Sequence, residues 1–229
     1  MATLSNLQCP KAGCLHAGIL LAFGLMFAAL GIQSMAGLSE ALQWHRSQFE
    51  GLTWFTSHLC HWSWEHLLWD VAAFALLSFL SLRIQPSRYA PTLLIAALLI
   101  PLEIQFFQLH LNSYRGLSGL DCALFGLVIA ALWRHEPGQE KNRPARGLAL
   151  TATIGFLAKS IYEQSTGSTI FVASNEALFV PVPSAHLIGF VTGVTTGIIE
   201  PKPLIRSISS ALARNRTWIC GFGDHHSIR

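Results

Sequence analysis

The sequence predicts an all-α membrane protein, a bundle of six transmembrane helices, from three observations. Of the 229 residues, 52% are hydrophobic and only 12% are charged, whereas ordinary soluble domains carry about 25% charged residues. The apolar residues form six runs, each near the roughly 20 residues that a helix needs to cross a bilayer. Membrane lipid is therefore an expected partner. The net charge of +3 is too small to indicate binding of nucleic acid.

The six apolar runs are separated by polar or charged segments. They cover residues 15–35, 61–82, 92–109, 117–133, 147–161 and 183–199. The first run follows Lys11, as in a signal peptide, but it is longer than a signal peptide needs and no clear Ala-x-Ala site follows it. We therefore expect a retained span. The chain then divides into a cytoplasmic segment 1–14, a six-helix membrane domain 15–200 and a basic cytoplasmic tail 201–229.

The basic residues predict the orientation of the bundle. If the N-terminus is cytoplasmic, every Lys and Arg faces the cytoplasm except Arg46, Arg115 and Lys159. This loop-by-loop alternation is typical of membrane proteins, whose cytoplasmic loops carry the excess of positive charge. Both termini are then cytoplasmic, and the loops 37–60 and 164–182 face outward. The loop 37–60 is rich in Trp and Phe, which is typical of a segment lying at the membrane interface.

Polar side chains in the second run are candidates for a functional role, because an ionised group near the bilayer centre costs at least about 2.5 kcal/mol. His66 and Asp70 are four residues apart and therefore share one helical face. A zinc site of His61, Glu65 and Asp70 is an alternative, but these spacings do not fit the known helical zinc motifs. The five cysteines show no Cys-x-x-Cys spacing either. We predict no metal and no cofactor.

The fourth and sixth runs carry stripes of small residues, which allow two helices to approach closely in lipid. The stripes consist of Gly119, Ala123 and Gly126 in the fourth run and of Gly189, Gly193 and Gly197 in the sixth. We expect these two helices to pack face to face. That contact would bring Ser118 and His186, each near the outer end of its helix, within reach of each other.

A serine and a histidine at matching depth predict a nucleophile and its general base. Ser118 would attack, His186 would accept its proton, and His66 would lie nearby on a third helix. Asp121 follows Ser118 by about one helical turn. It could orient a histidine, or it could be a hydrogen-bonded group near the interface.

These residues resemble the rhomboid family of intramembrane serine proteases. The family pattern Gly-x-Ser-Gly-x-x-x-Ala-x-x-Gly is similar to residues 116–126, and Ala-His-x-x-Gly is similar to residues 185–189. The pattern His-x-x-x-x-His-x-x-x-Asn is similar to residues 61–70, with Asp70 in place of Asn. The resemblance covers about residues 10–200 and implies a rhomboid-like six-helix fold.

The resemblance implies a Ser–His dyad, Ser118 with His186, and requires no third carboxylate. His66 and Asp70 would form an oxyanion hole with the backbone N–H of Ser118, and Leu117 belongs to the same substrate-stabilising group. Three further residues are expected to surround these groups: His61, Asp121 and Cys122.

Three departures from the family pattern indicate a particular branch of the family. Asp70 replaces an amide that donates hydrogen bonds, and Cys122 replaces an aromatic residue often stacked under the histidine. The Trp-Arg pair typical of the first outer loop is missing, and Leu52-Thr53 falls there. The short chain and the sequence His-Trp-Ser-Trp-Glu-His-Leu-Leu-Trp-Asp at 61–70 are more similar to the rhombosortase branch.

The rhombosortase resemblance implies cleavage of exported bacterial proteins at a C-terminal Gly-Gly signal that precedes a transmembrane tail. The product would be transferred to a lipid-like acceptor. The protein would then lie in the bacterial inner membrane as a multi-pass protein, with its active site facing the periplasm. The alternatives are a general rhomboid protease that hydrolyses transmembrane substrates, and a non-catalytic rhomboid-like binding protein.

Overall fold

The computed structural model describes residues 9–47, 50–134, 143–169 and 181–199. The helices within these ranges are α1 (Cys9–Ser34), α2 (Leu38–Ala41), α3 (Thr53–Thr56), α4 (Trp64–Ile84), α5 (Pro86–Phe107), α6 (Ser118–Trp133), α7 (Arg143–Thr166) and α8 (Pro183–Ile198). All of them belong to the unit that ends at Ile198. The predicted segment 1–14 falls largely outside the described residues, as does the predicted tail 201–229.

Each of the six predicted apolar runs lies on one of the long helices. In the part of the chain that the structure describes, Gly13–Ser34 of α1, α4 and α5 are long and apolar enough to cross a membrane. Helix α6 is apolar but has only 16 residues. The chain is therefore a helical membrane protein, while the number of spans and the side of the termini stay predictions.

The helix boundaries differ from the apolar runs at α5 and α7. Helix α5 begins at Pro86, six residues before the predicted run at 92. Proline suits the first helical position because its backbone has no N–H to leave unpaired there. Helix α7 continues to Thr166, beyond the predicted end at 161. The polar residues of this last turn stay helical, and one of them reaches the site described below.

Helices α6 and α8 form the most extensive contact of the bundle, which confirms the predicted face-to-face packing. A Cβ atom built on Gly189 would overlap the backbone carbonyl of Gly119, and one on Gly193 would overlap that of Ala123. On the other helix, a Cβ atom on Gly126 would overlap the carbonyl of Phe190. The two backbones are in direct contact because these positions have no side chain.

The described part of the loop 37–60, which the sequence predicts to face outward and which we call the outer loop, folds back onto the bundle. This corrects the prediction that all of its aromatic residues lie at the membrane interface. Strand β1 (Trp44–His45) pairs antiparallel with β2 (Ser113–Tyr114). The Trp44 side chain is in the core, only 1% exposed. Other apolar residues of the same loop, Leu52 and Phe55, are exposed. The interfacial prediction is therefore wrong for Trp44, and for the exposed residues of the loop it stays a prediction.

Arg46 anchors this loop to the end of α5. Its guanidinium donates four hydrogen bonds of 2.8 Å to backbone carbonyls, those of Ile104, Gln105, Gln108 and Leu111. The last carbonyls of a helix have no partner within the helix, and a cation there also interacts favourably with the helix dipole. Arg46 thus fixes the outer loop relative to the bundle.

Candidate active site

Ser118 is the first residue of α6, and a glycine determines how the chain reaches it. Gly116 has a φ of 141°, a conformation that residues with a side chain rarely adopt. A Cβ atom there would also lie 3.3 Å from Cε1 of His66. The Gly116 N–H donates a 3.1 Å hydrogen bond to the Ser57 carbonyl, so the outer loop holds the approach to Ser118.

The structure brings Ser118 and His186 together. Nε2 of His186 lies 3.0 Å from Oγ of Ser118. His186 is in the first turn of α8 and is buried, while Ser118 is half-buried. The close approach of Gly119 and Gly189, one and three residues further along these helices, makes this distance possible. A hydroxyl and an imidazole at this separation can exchange a proton.

Beside the Ser118–His186 pair, the site contains a cluster of nitrogen atoms around one oxygen of Asp70. Oδ2 lies 3.2 Å from Nε2 of His61 and 3.3 Å from Nε2 of His66. The same oxygen accepts hydrogen bonds from the backbone N–H groups of Leu117 at 3.0 Å and Ser118 at 3.1 Å. Backbone N–H groups at a helix N-terminus favour an anionic partner. Here Asp70 is that partner.

This geometry revises the expectation for the Ser118 N–H. The resemblance assigns that group to an oxyanion hole together with Asp70, but in the structure it is hydrogen-bonded to Asp70 itself. Leu117 contributes its N–H in the same way, while its side chain is fully buried in the core. An oxyanion could use the Ser118 N–H only by replacing or sharing the Asp70 oxygen.

Glu163 is a site residue that the sequence reasoning missed. Its Oε2 lies 3.5 Å from Nδ1 of His186, and its Oε1 accepts a 2.6 Å hydrogen bond from Lys159. The residue is only 2% exposed. Lys159 and Glu163 are four residues apart on α7, and two ionisable residues at this spacing in an apolar helix were a signal that could have revealed the pair.

Asp121 does not have the position beside a histidine that one of its two predicted roles requires. It is buried on α6, and among the described residues it forms no ion pair with a histidine. It lines a cavity of about 540 Å³ between α4, α6 and α7, together with Cys122 and Lys159. Beyond Cys122, Phe156 and Phe190 stack with their ring centroids 4.7 Å apart. Glu163, not Asp121, is the carboxylate that faces His186.

The zinc alternative does not fit the positions of its three residues. Glu65 is exposed, whereas His61 and Asp70 are buried. In the described ranges, the structure contains no group of three His, Cys, Asp or Glu side chains arranged to hold a metal ion.

The cavity in front of Ser118 is small. Ser118 and His186 line a space of about 20 Å³, which has room for little more than one water molecule. The Arg115 guanidinium stacks on the Trp62 ring, 3.9 Å from its centroid, and both residues form a wall of this space. Tyr114 lines it too, and burial raises the pKa of its hydroxyl, so the group stays protonated.

The 3₁₀ turn Ser57–Leu59 supports the Ser118 region from outside the helices. The His58 ring is buried, and its Nε2 donates a 3.2 Å hydrogen bond to the Ala97 carbonyl. Burial lowers the pKa of His58 to about 4, against the opposing effect of that carbonyl. The ring is therefore neutral at pH 7. Next to it, burial raises the pKa of the Cys60 thiol to about 11.

The fold and the site define a class: a helical membrane protein with a serine and a histidine in contact beneath a folded outer loop. The Rhomboid domain family model matches residues 48–202, which is more than half of the chain. The protein therefore belongs to the rhomboid family, a family of intramembrane serine proteases. No individually curated protein matches the chain.

Proposed function

We propose that this protein is an intramembrane serine endopeptidase in which Ser118 is the nucleophile and His186 the general base. The observation that carries the proposal is the 3.0 Å distance between Ser118 Oγ and His186 Nε2. Both residues lie in the first turn of their helices, so the pair is at one end of the bundle. The basic residues of the sequence support an outward-facing position for that end. The rhombosortase resemblance makes this the periplasmic side of a bacterial inner membrane.

The reaction follows from this pair. As Ser118 Oγ attacks the scissile carbonyl, its proton moves to Nε2 of His186. The imidazolium then gives the proton to the departing amine, which leaves an acyl-enzyme ester on Ser118. A second nucleophile, either water or an amine of a lipid-like acceptor, attacks the ester and loses its proton to the same nitrogen. Ser118 is regenerated in the final step.

His66 and the Ser118 N–H are the proposed donors to the oxyanion. Asp70 organises both groups before the reaction, because its Oδ2 is within 3.3 Å of each. Formation of the tetrahedral intermediate would require the substrate oxygen to replace Asp70 as the acceptor of the Ser118 N–H. Preorganised donors of this kind are among the largest contributions to enzymatic rate.

A sorting substrate with a Gly-Gly site, as in the rhombosortase branch, suits a serine whose surroundings leave little free space. Such a site has no side chains to accommodate. A Gly-Gly pair also unwinds easily from the substrate's transmembrane tail, since glycine is a poor helix former. We propose exported proteins with such a C-terminal tail as substrates.

A fluorophosphonate probe tests the nucleophile. We expect the probe to label the detergent-solubilised protein at Ser118. It should not label Ser118→Ala, and it should label His186→Ala at a lower rate than the wild type. Ser184→Ala is the matched control, because Ser184 is a neighbouring serine on α8 outside the proposed dyad. Equal labelling of the wild type and Ser118→Ala would overturn the assignment.

Co-expression with a Gly-Gly-tailed protein tests the substrate. Mass spectrometry of the new C-terminus gives both the cleavage position and the identity of the final acceptor. We expect cleavage at the Gly-Gly pair and an added mass on the product. A substrate with Ala-Ala at the same place is the control: equal processing of both would favour a general rhomboid protease, and an unmodified C-terminus would indicate hydrolysis.

A further inference from the structure

The buried carboxylate of Glu163 lies on the side of His186 that faces away from Ser118. Glu163 is on α7, the helix next to α8, and has 2% of its surface exposed. Lys159, on the same helix, holds Oε1 at 2.6 Å. A carboxylate that is buried this deeply is stable only when paired. The Lys159 contact supplies one partner and leaves Oε2 directed at His186.

His186 therefore lies between two functional groups. Its Nε2 is 3.0 Å from Ser118 Oγ, and its Nδ1 is 3.5 Å from Glu163 Oε2. A neutral imidazole carries one proton, so Nε2 can accept from the serine only when that proton is on Nδ1. Glu163 Oε2 is in position to attract the Nδ1 proton. In other serine hydrolases, a carboxylate in this place selects the tautomer and orients the ring.

We propose that Glu163 is a positioning residue for His186, so that the site is a Ser118–His186–Glu163 triad instead of a dyad. The inference rests on the proposed function, because it needs His186 to be the base. When Ser118 Oγ forms its bond to the carbonyl carbon, the proton of Oγ moves to Nε2, and Nδ1 keeps its own. Glu163 stabilises the resulting imidazolium and does not itself take a proton.

Lys159 has a defined place in this arrangement. Its ammonium group binds Oε1, which fixes the plane of the carboxylate and leaves the second oxygen for His186. Two segments outside α7 bring titratable groups to the surroundings of His186 and Glu163. The segment before α6 carries Tyr114 and Arg115, and α6 carries Asp121 and Cys122. None of these forms an ion pair with His186 in the described residues, so Glu163 is the carboxylate that can act on the ring.

The test is a kinetic comparison of Glu163→Gln with the wild type, on a fluorogenic peptide that contains the Gly-Gly site. Gln keeps the size of the side chain and removes its charge. We expect kcat to fall on the order of 10²-fold and KM to stay within about 2-fold, since Glu163 does not touch the substrate. Glu103→Gln is the matched control, because Glu103 is a half-buried carboxylate on α5 that accepts a hydrogen bond from Gln108. We expect it to behave as the wild type.

The same substitution made in a His186→Ala protein separates a positioning role of Glu163 from a structural one. If Glu163 acts through His186, then Glu163→Gln will cause little further loss of fluorophosphonate labelling in a His186→Ala protein. Equal losses in both backgrounds, or a kcat near that of the wild type, would overturn the triad. Should Glu163→Gln misfold because Lys159 loses its contact with the carboxylate, Lys159→Met/Glu163→Gln removes both charges and gives the same comparison.

The same data distinguish failure of the triad from failure of the proposed function. A wild-type protein that cleaves and is labelled, together with a fully active Glu163→Gln, contradicts the triad alone. A wild-type protein that is neither labelled nor active contradicts both. Loss of kcat in Glu163→Gln with unchanged thermal unfolding supports both.

Discussion

Two buried carboxylates lie on opposite sides of the Ser118–His186 pair, and their surroundings differ. Asp70 on α4 has four nitrogen atoms within 3.3 Å of a single oxygen. Glu163 on α7 has Lys159 at 2.6 Å from one oxygen and His186 at 3.5 Å from the other. The first carboxylate holds backbone and histidines in fixed positions. The second has a looser contact, which can shorten when the imidazole becomes charged.

The difference suggests a division of roles. A carboxylate whose oxygen already has four nitrogen atoms around it has little to gain from charge that develops during the reaction, so Asp70 contributes by organising its donors. A carboxylate with a long contact to the base gains as the imidazolium forms, and this gain is specific to the transition state. The predictions below test each side of the comparison, from the largest expected effect to the smallest.

Both proposed roles assume that the Ser118 hydroxyl, which lies between the two carboxylates, is the nucleophile. We expect Ser118→Ala to abolish cleavage of a Gly-Gly substrate, because Ser118 carries the hydroxyl that lies 3.0 Å from Nε2 of His186. The protein should still fold, since Ser118 is half-buried and its backbone N–H keeps Asp70 as partner. Cleavage is measured by gel mobility and folding by thermal unfolding. Measurable cleavage by a well-folded Ser118→Ala protein would remove Ser118 from the mechanism.

Substitution of His66 tests whether the groups around Asp70 contribute to catalysis. Losing one oxyanion donor costs about 10²–10³ in rate, so we expect a decrease of this size in kcat for His66→Ala. The matched variant is His45→Ala, which changes a histidine of β1 that is not among the residues lining the space in front of Ser118. We expect it to cut at the wild-type rate. If His66→Ala were as active as His45→Ala, the ring would be structural only.

We expect the Asp70 side chain to matter for the stability of the protein, and its negative charge to matter little for cleavage. Asp70→Leu removes the oxygen that the N–H groups of Leu117 and Ser118 share with His61 and His66, which we expect to cost about 3–5 kcal/mol of unfolding free energy. Asp70→Asn keeps one acceptor oxygen and adds a donor, so we expect the variant to fold and to cleave. Thermal unfolding and cleavage assays measure both. A stable Asp70→Leu protein would show that the four contacts contribute little.

The two carboxylates also differ in how far the sequence could predict them. Asp70 occupies a position in a motif, and its four-residue spacing from His66 predicted the shared face that the structure has. The paired glycine stripes predicted the contact of α6 with α8 because close packing in lipid requires small residues. What the sequence could not supply is the Asp70 contact with the Leu117 and Ser118 N–H groups, since it depends on the conformation at Gly116.

Glu163 escaped prediction for a different reason. The apolar run ends at residue 161, but the helix continues to Thr166, so Glu163 fell between the predicted run and the predicted loop 164–182. Its role depends on how α7 is rotated against α8, which an apolar pattern alone does not determine. Trp44 shows the same limit: its burial results from the pairing of β1 with β2, two segments that are about seventy residues apart.

The smallest expected effect concerns His58, which supports the Asp70 side from the outer loop. The pKa of His58 is about 4 in the folded protein, against about 6.5 for an unperturbed histidine. As the pH falls below about 6.5, the unfolded chain takes up the proton first, so the folded state loses stability. The loss grows until about pH 4 and reaches at most about 3 kcal/mol. Above pH 6.5 this group contributes no pH dependence.

Thermal unfolding between pH 7.5 and 4.5 measures this contribution. We expect His58→Gln to unfold with a weaker dependence on pH than the wild type, because glutamine can donate to the Ala97 carbonyl and does not titrate. His110→Gln is the matched control, since His110 is exposed and should leave the pH dependence unchanged. If His58→Gln and the wild type lost stability in parallel, the acid sensitivity would belong to another group, and the Asp70 side would be the next place to test.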